Sequence, residues 1–397
     1  MPNLSFQNTE IAFAHKSTGE LQQAKMLFKS FNYPWLIRHG DSLARLAIAL
    51  GCKSVIKNTI FKQFCGGESI EECEQRIQSL SKSDIGTILD YSVEGEEEED
   101  VFIATCNEIK KTIDKASGNK HIPFSVFKVT GIISFNTLEA VSDILLSNSS
   151  VQTEEIQNIL TEPNATDWKL GTQRFFEIAQ HAFQHKVRLF IDAEESWIQP
   201  AIDRLAEEAM AKYNTEQAII FNTIQLYRHD RLAYLSHIIQ TSSGFLGFKL
   251  VRGAYMEKER ARAAEKGYVD PIQPNKAATD TDYNAAVKLC LENNSRVSVC
   301  IGTHNEESSI MGADLQRNLG IESNNLHVFY SQLLGMSDHI SYNLAHAKFN
   351  VCKYVPYGPV SAVIPYLTRR AQENSGMAGQ MGRELSLINS EIQRRKV

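Results

Sequence analysis

Eight short β-branched or apolar runs alternate with helical stretches in this 397-residue sequence. That alternation predicts an α/β fold, a (β/α)8 TIM-type barrel with an N-terminal helical arm. No G-x-G-x-x-G follows the first run and no P-loop occurs, so the alternative, a doubly wound nucleotide-binding sheet, lacks its phosphate loop. Polar and charged residues also gather near the carboxyl ends of the runs, where barrels place their ligands.

Residues 20–80 read as helices, with Leu43, Leu46, Ala47 and Leu50 spaced along one face. Residues 1–80 are assigned to the arm and 81–397 to the barrel. The candidate strands are 86–93, 124–130, 187–192, 218–226, 247–251, 297–302, 326–331 and 350–355. Helices are expected at 172–185, 199–212, 230–241, 280–292, 308–319 and 360–373. Two segments look inserted. The acidic run 94–100 needs no function as a solvated loop or helix start, and the polar stretch 147–167 reads as a surface excursion. The connection from Ala254 to Arg296 is long, carries Pro271 and Pro274 midway, and is a candidate lid.

Composition narrows the function. The chain is 43% hydrophobic and 22% charged, as in ordinary globular proteins. A net charge of −6 and the lack of a basic-aromatic stripe argue against nucleic-acid binding. Seven cysteines without CxxC spacing imply reduced thiols. The first twenty residues have neither a signal peptide's apolar core nor an Arg-rich transit composition. No apolar run reaches membrane-spanning length. The expected location is therefore cytoplasmic, with the inner face of the membrane as a peripheral docking place. The basic end Arg394-Arg395-Lys396 reads as a solvated tail.

The most informative segment runs from Gly247 through Phe-Lys-Leu-Val-Arg-Gly-Ala-Tyr to Arg262. It begins as a core strand yet carries Lys249 inside it and Arg252 at its end. Buried cations need an anion. Gly253 and Ala254 then leave room for a flat ligand, and Gly267 caps the following helix. Other strand ends supply Lys128, Asp192, Gln225, Thr303 with His304, Gln332 with Leu334, and Tyr354. Arg369 and Arg370 are neighbours on the last helix, about 100° apart, and two guanidinium forks suit a carboxylate. Glu373 lies one turn on and suits a surface salt bridge to Arg369. Asp192 is better placed to balance a cation in the pocket. His304 has no partner histidine at ligand spacing, and no metal site is expected in the chain. No G-x-S-x-G elbow is present.

The blocks Phe-Lys-Leu-Val-Arg-Gly-Ala-Tyr255, Thr-His-Asn305, Gln-Leu-Leu-Gly-Met336, Lys-Tyr-Val-Pro-Tyr-Gly-Pro359 and Tyr-Leu-Thr-Arg-Arg-Ala-Gln-Glu-Asn374 closely resemble proline dehydrogenase, in the same order, over about residues 85–375. The likeness is greatest to the single-function, mitochondrial-related type and leaves the first 80 residues and both insertions poorly covered. It implies a distorted barrel holding FAD at the strand carboxyl ends. By the resemblance, Lys128, Asp192, Arg369, Arg370 and Glu373 bind the substrate carboxylate and its ion-pair network, and Tyr354 and Leu334 pack the pyrrolidine ring. Gln225, Lys249, Arg252, Gly253, Ala254, Thr303, His304 and Gln332 line the flavin. Asp192, Lys249 and Arg252 are the residues expected closest to the chemistry. Bacterial bifunctional relatives resemble the motif with arginine in place of Lys249, which keeps the charge and adds a fork.

The implied reaction is oxidation of L-proline to Δ1-pyrroline-5-carboxylate by hydride transfer to FAD. Electrons pass to a membrane quinone, and the product passes to a separate pyrroline-5-carboxylate dehydrogenase. Hydroxyproline dehydrogenase is the alternative within the family, although there the position of Tyr354 resembles a serine. A Schiff-base barrel aldolase using Lys128 or Lys249 is the alternative from another class.

Overall fold

Strands rich in Val, Ile, Leu and Phe, buried on both faces, favour parallel pairing with helices as cover. The computed structural model bears this out. It describes residues 4–31, 33, 35, 39–92, 98–376 and 378–396, apart from the side chains of 371–381. The strands are β1 (Ile85–Tyr91), β2 (Phe124–Lys128), β3 (Arg188–Asp192), β4 (Ile220–Gln225), β5 (Leu246–Val251), β6 (Val297–Gly302), β7 (Val328–Leu333) and β8 (Val351–Tyr357). They close into a barrel in sequence order. Every expected strand is present. The largest slip is at β7, which starts and ends two residues later than expected and leaves Leu326 exposed.

Two compact units divide the chain, one of residues 1–95 with 331–397 and the other of 96–330. In the second, an aromatic layer fills the strand bases. Phe124 stacks on Phe190 at 4.3 Å and meets Phe221 and Phe329 edge-on at 5.4 and 4.8 Å. Phe124 of β2 and Phe329 of β7 lie on strands that are not neighbours, so they meet only inside the barrel. Strand alternation then fixes the inward face. From Phe124 it runs to Lys128, from Phe190 to Asp192, and from Phe221 to Thr223 and Gln225. Register carries it to β5 and β6, because Thr223 pairs with Lys249 and Lys249 with Cys300.

The stretch 147–167 lies mostly at the surface, as expected, but it is pinned to the rest of its unit. It contains the helix Thr153–Ile159, whose Ile156 is fully buried, and Trp168 donates from Nε1 to the Thr153 carbonyl at 3.2 Å. The polar composition concealed a single apolar anchor. Of the acidic run, 94–97 fall outside the described residues. Glu99 and Asp100 open the helix Glu99–Ala116, where their charge suits the amino-terminal dipole. The 254–296 connection holds two helices, Met256–Lys266, closed by Gly267 at φ 74°, and Lys276–Glu292.

In the first unit, residues from both chain ends share one core. Phe13, Leu21, Phe28, Phe31, Phe61 and Phe64 pack with Val363, Tyr366, Leu367, Leu387 and Ile388. The helix Ile364–Gly376, which carries Arg369 and Arg370, therefore rests on the N-terminal helices. Of the apolar stripe read along the helix Gly40–Ala49 and its cap, only Ala47 packs against the core. Leu43, Leu46 and Leu50 are exposed, while Ala44, Ala47 and Ile48 make the packing contacts. Periodicity finds a stripe but not the side on which the rest of the protein lies. None of the described helices is long and apolar enough to cross a membrane.

Candidate active site

Lys249 is 6% exposed at the middle of β5, and its ammonium forms an ion pair with Asp192 at the end of β3. The ammonium also lies 5.2 Å from the Phe190 ring. Lys128, half-buried, is the register partner of Asp192. Three inward-facing charges, two positive and one negative, are thus grouped on β2, β3 and β5. The expected anion for the buried strand lysine is present.

Arg252 is held differently. Its Nε donates to Asp280 at 2.8 Å, its two terminal nitrogens to Thr303 Oγ1 at 2.6 Å and Ser308 Oγ at 2.9 Å, and its plane covers Tyr283 at 4.3 Å. The guanidinium is fixed before any ligand arrives. Thr303 also accepts from the Asn305 backbone at 3.1 Å, and Asn305 caps the next helix through Ser308 at 2.8 Å. His304, half-buried, is presented on a turn braced by both neighbours. Gln225 at the end of β4 is 2% exposed, and its Oε1 accepts no hydrogen bond among the described residues. Gly253 has φ 137°, and a Cβ there would strike the Tyr227 ring. Ala254 follows, exposed.

After β3 the chain carries further buried acids. Glu194 is 3% exposed and accepts from the Thr130 backbone at 3.0 Å and its hydroxyl at 2.6 Å. Burial pushes its carboxyl up to about 7 against those bonds. Glu259 on the helix after β5 accepts from the Ser196 backbone at 2.7 Å and its hydroxyl at 2.5 Å, while Lys258 pairs with Glu195. The candidate lid helix is thereby fastened to the β3 loop.

In the other unit, Leu334 is buried and its backbone donates to the Tyr354 carbonyl at 2.9 Å, which sets the two residues side by side. Gln332 accepts from Ser341 at 2.7 Å. Arg370 is 7% exposed and lies 5.0 Å from the Tyr366 ring on its own helix, and Arg369 beside it is half-buried. The side chain of Glu373 lies outside the described residues. Sequence reasoning missed Asp280, Ser308 and Tyr283, which hold Arg252 from far along the chain without a local motif. It also passed over Glu194, although Asp-Ala-Glu-Glu follows β3 directly, and the His181-x-x-x-His185 pair, which ligand spacing alone would have found.

Comparison with known proteins gives the family of the chain. The family model described as proline dehydrogenase matches residues 73–383. The mitochondrial proline dehydrogenase 1 of Dictyostelium discoideum is 32% identical over 98% of this chain and 74% of its own length. A hydroxyproline dehydrogenase of Xenopus laevis is 30% identical over 99% of this chain and 90% of its own. Among solved structures, proline utilization A from Bdellovibrio bacteriovorus superposes with a TM-score of 0.72 at 17% identity. The match covers 96% of this chain and 44% of that one, and supports the barrel fold. A family match across most of the chain, on a closed barrel, makes this chain a member of the proline dehydrogenase family.

Proposed function

We propose that this protein oxidises L-proline to Δ1-pyrroline-5-carboxylate with FAD as the bound cofactor, and delivers the electrons to a membrane quinone. The observation that carries this reading is the inward Lys249–Asp192 pair beside a buried glutamine with an open acceptor. The chain's residues fit a flavin. Gln225 offers a buried acceptor that a ring N–H would satisfy. Gln225, Lys249, Arg252, Gly253, Ala254, Thr303, His304 and Gln332 would hold it. When bound, FAD supplies the hydride-accepting ring.

The remaining work falls to side chains. Arg369 and Arg370 bind the substrate carboxylate, and Lys128, Asp192 and Glu373 complete its ion-pair network. Leu334 and Tyr354 pack the ring. The substrate nitrogen must lose its proton before its lone pair can assist. Lys249 and Lys128 favour the neutral amine, while Asp192 limits their effect by pairing with Lys249. Arg252, pre-fixed by Asp280, Thr303 and Ser308, presents a positive charge that needs no rearrangement as negative charge develops nearby. The protein would work in the cytoplasm against the inner membrane face and hand its product to a pyrroline-5-carboxylate dehydrogenase.

A second reading, hydroxyproline dehydrogenase, draws on the Xenopus relative of that name. Tyr354 favours proline by sterics. Anaerobic visible spectra of the purified protein separate the two. Bleaching of a flavin band by L-proline, and less by trans-4-hydroxy-L-proline, is the expected outcome. Bleaching by hydroxyproline alone would assign the second reading, and a colourless protein that cannot be reconstituted with FAD would remove both.

A further inference from the structure

The helices Glu99–Ala116 and Asn164–Gln184 precede β2 and β3, so their carboxyl ends lie at the end of the barrel opposite the strand carboxyl ends. There Asp114 of the first helix meets His181 and His185 of the second. His181 Nε2 is 2.6 Å and His185 Nε2 3.8 Å from the same oxygen, Asp114 Oδ1. All three ligand atoms lie within 4.8 Å of one another. The imidazoles stand at i and i+4 on one helix face, with centroids 4.3 Å apart.

We propose that Asp114, His181 and His185 form a binding site for a divalent first-row transition cation of the zinc type, with water in the fourth position, which cross-links the two helices. Two imidazoles and one carboxylate favour zinc, cobalt or nickel over a hard cation. His185 Nδ1 lies 3.4 Å from Ser117 Oγ, an outer partner that turns Nε2 toward Asp114. One turn earlier on both helices, Lys110 and Glu177 pair at 2.9 Å and hold the helices in register. The dipoles of two helix carboxyl ends also favour a cation. Ligands about 2.0–2.1 Å from a tetrahedral zinc stand about 3.3 Å apart. Binding therefore opens the His181–Asp114 contact by less than 1 Å, roughly, and replaces a hydrogen bond. The three side chains are 25%, 36% and 54% exposed, so this adjustment disturbs no core packing.

The untagged full-length protein, stripped with EDTA, is titrated with Co2+ and then Zn2+. One equivalent of Co2+ should give imidazole-type d–d bands without a thiolate charge-transfer band, and Zn2+ should displace it. Zn2+ in roughly hundredfold excess over its Kd should raise the unfolding midpoint by a few degrees. His185→Ala should abolish both effects, and Asp114→Asn should weaken binding about tenfold, while bleaching by proline stays unchanged. Binding that persists in His181→Ala/His185→Ala, or a thiolate band pointing to the exposed Cys52, would overturn the site. So would a failure to bind one equivalent at micromolar concentration.

Discussion

Two lysines lie buried on barrel strands, each against an aspartate, and their surroundings differ. In the first unit, Lys353 of β8 is fully buried and donates to the Met336 carbonyl at 2.5 Å and the Leu333 carbonyl at 3.4 Å, with Asp338 at 2.9 Å. Asp338 also holds Lys16 at 2.7 Å, with His15 at 3.5 Å. Burial pushes the Asp338 carboxyl up, but Lys16 and Lys353 outweigh it and hold the group well below the usual carboxylate range. Three acceptors match the three donors of one ammonium, so Lys353 has no capacity left for a ligand. In the second unit, Lys249 pairs with Asp192 on the inward face, among Lys128 and the open acceptor of Gln225. A buried ion pair alone does not say which is scaffold and which is site. The direction it faces, and what polar capacity surrounds it, do.

The comparison breaks most sharply on stability. Asp338→Ala leaves a buried ammonium uncompensated and should cost about 3–5 kcal/mol in urea unfolding, with much of the loss recovered in Asp338→Ala/Lys353→Met. Lys249→Met should cost less, because Asp192 keeps Lys128 as its strand neighbour, yet lower proline turnover by about a hundredfold or more. Equal stability losses with turnover retained in Lys249→Met would place both lysines in the scaffold. Arg370→Met sharpens the assignment of the carboxylate. The KM for L-proline should rise about tenfold while flavin content and the unfolding midpoint stay near their original values. An unchanged KM would remove Arg370 from substrate binding.

Much of this was legible in the sequence because strand burial and helix periodicity are local. Lys249, Asp192, Gln225 and Lys128 fall on the inward face by simple alternation once Phe124 and Phe190 are known to point inward. Lys353 was not legible, although Cys-Lys-Tyr-Val on β8 reads much like Phe-Lys-Leu-Val on β5. Its role depends on Asp338, Lys16 and two carbonyls that no spacing rule brings together. The same holds for Arg252, whose partners Asp280 and Ser308 lie 28 and 56 residues away. Leu43, Leu46 and Leu50 show the converse limit, since a regular apolar stripe was found that is left mostly exposed.

The last expected effect concerns Glu194, two residues beyond Asp192. Burial pushes its carboxyl from 4.5 to about 7, despite the two bonds from Thr130. Between those values the native state keeps a proton that the unfolded chain has released. The stability this contributes is fully present below pH 4.5 and is lost as pH rises through about 7. At ~1.4 kcal/mol per unit the loss is at most about 3 kcal/mol. Glu194→Gln keeps an acceptor for Thr130 and cannot ionise. The variant should match the original unfolding midpoint at about pH 5 and exceed it by a few degrees at about pH 8. An undiminished pH slope in the variant would shift the titration to another buried acid, with Glu259, also raised by burial, next in line. If the stability profile flattens while the pH dependence of turnover is unchanged, Glu194 braces the β3 loop and nothing more. If both change together, the acid also positions Lys128, the nearby cation that favours its charged form.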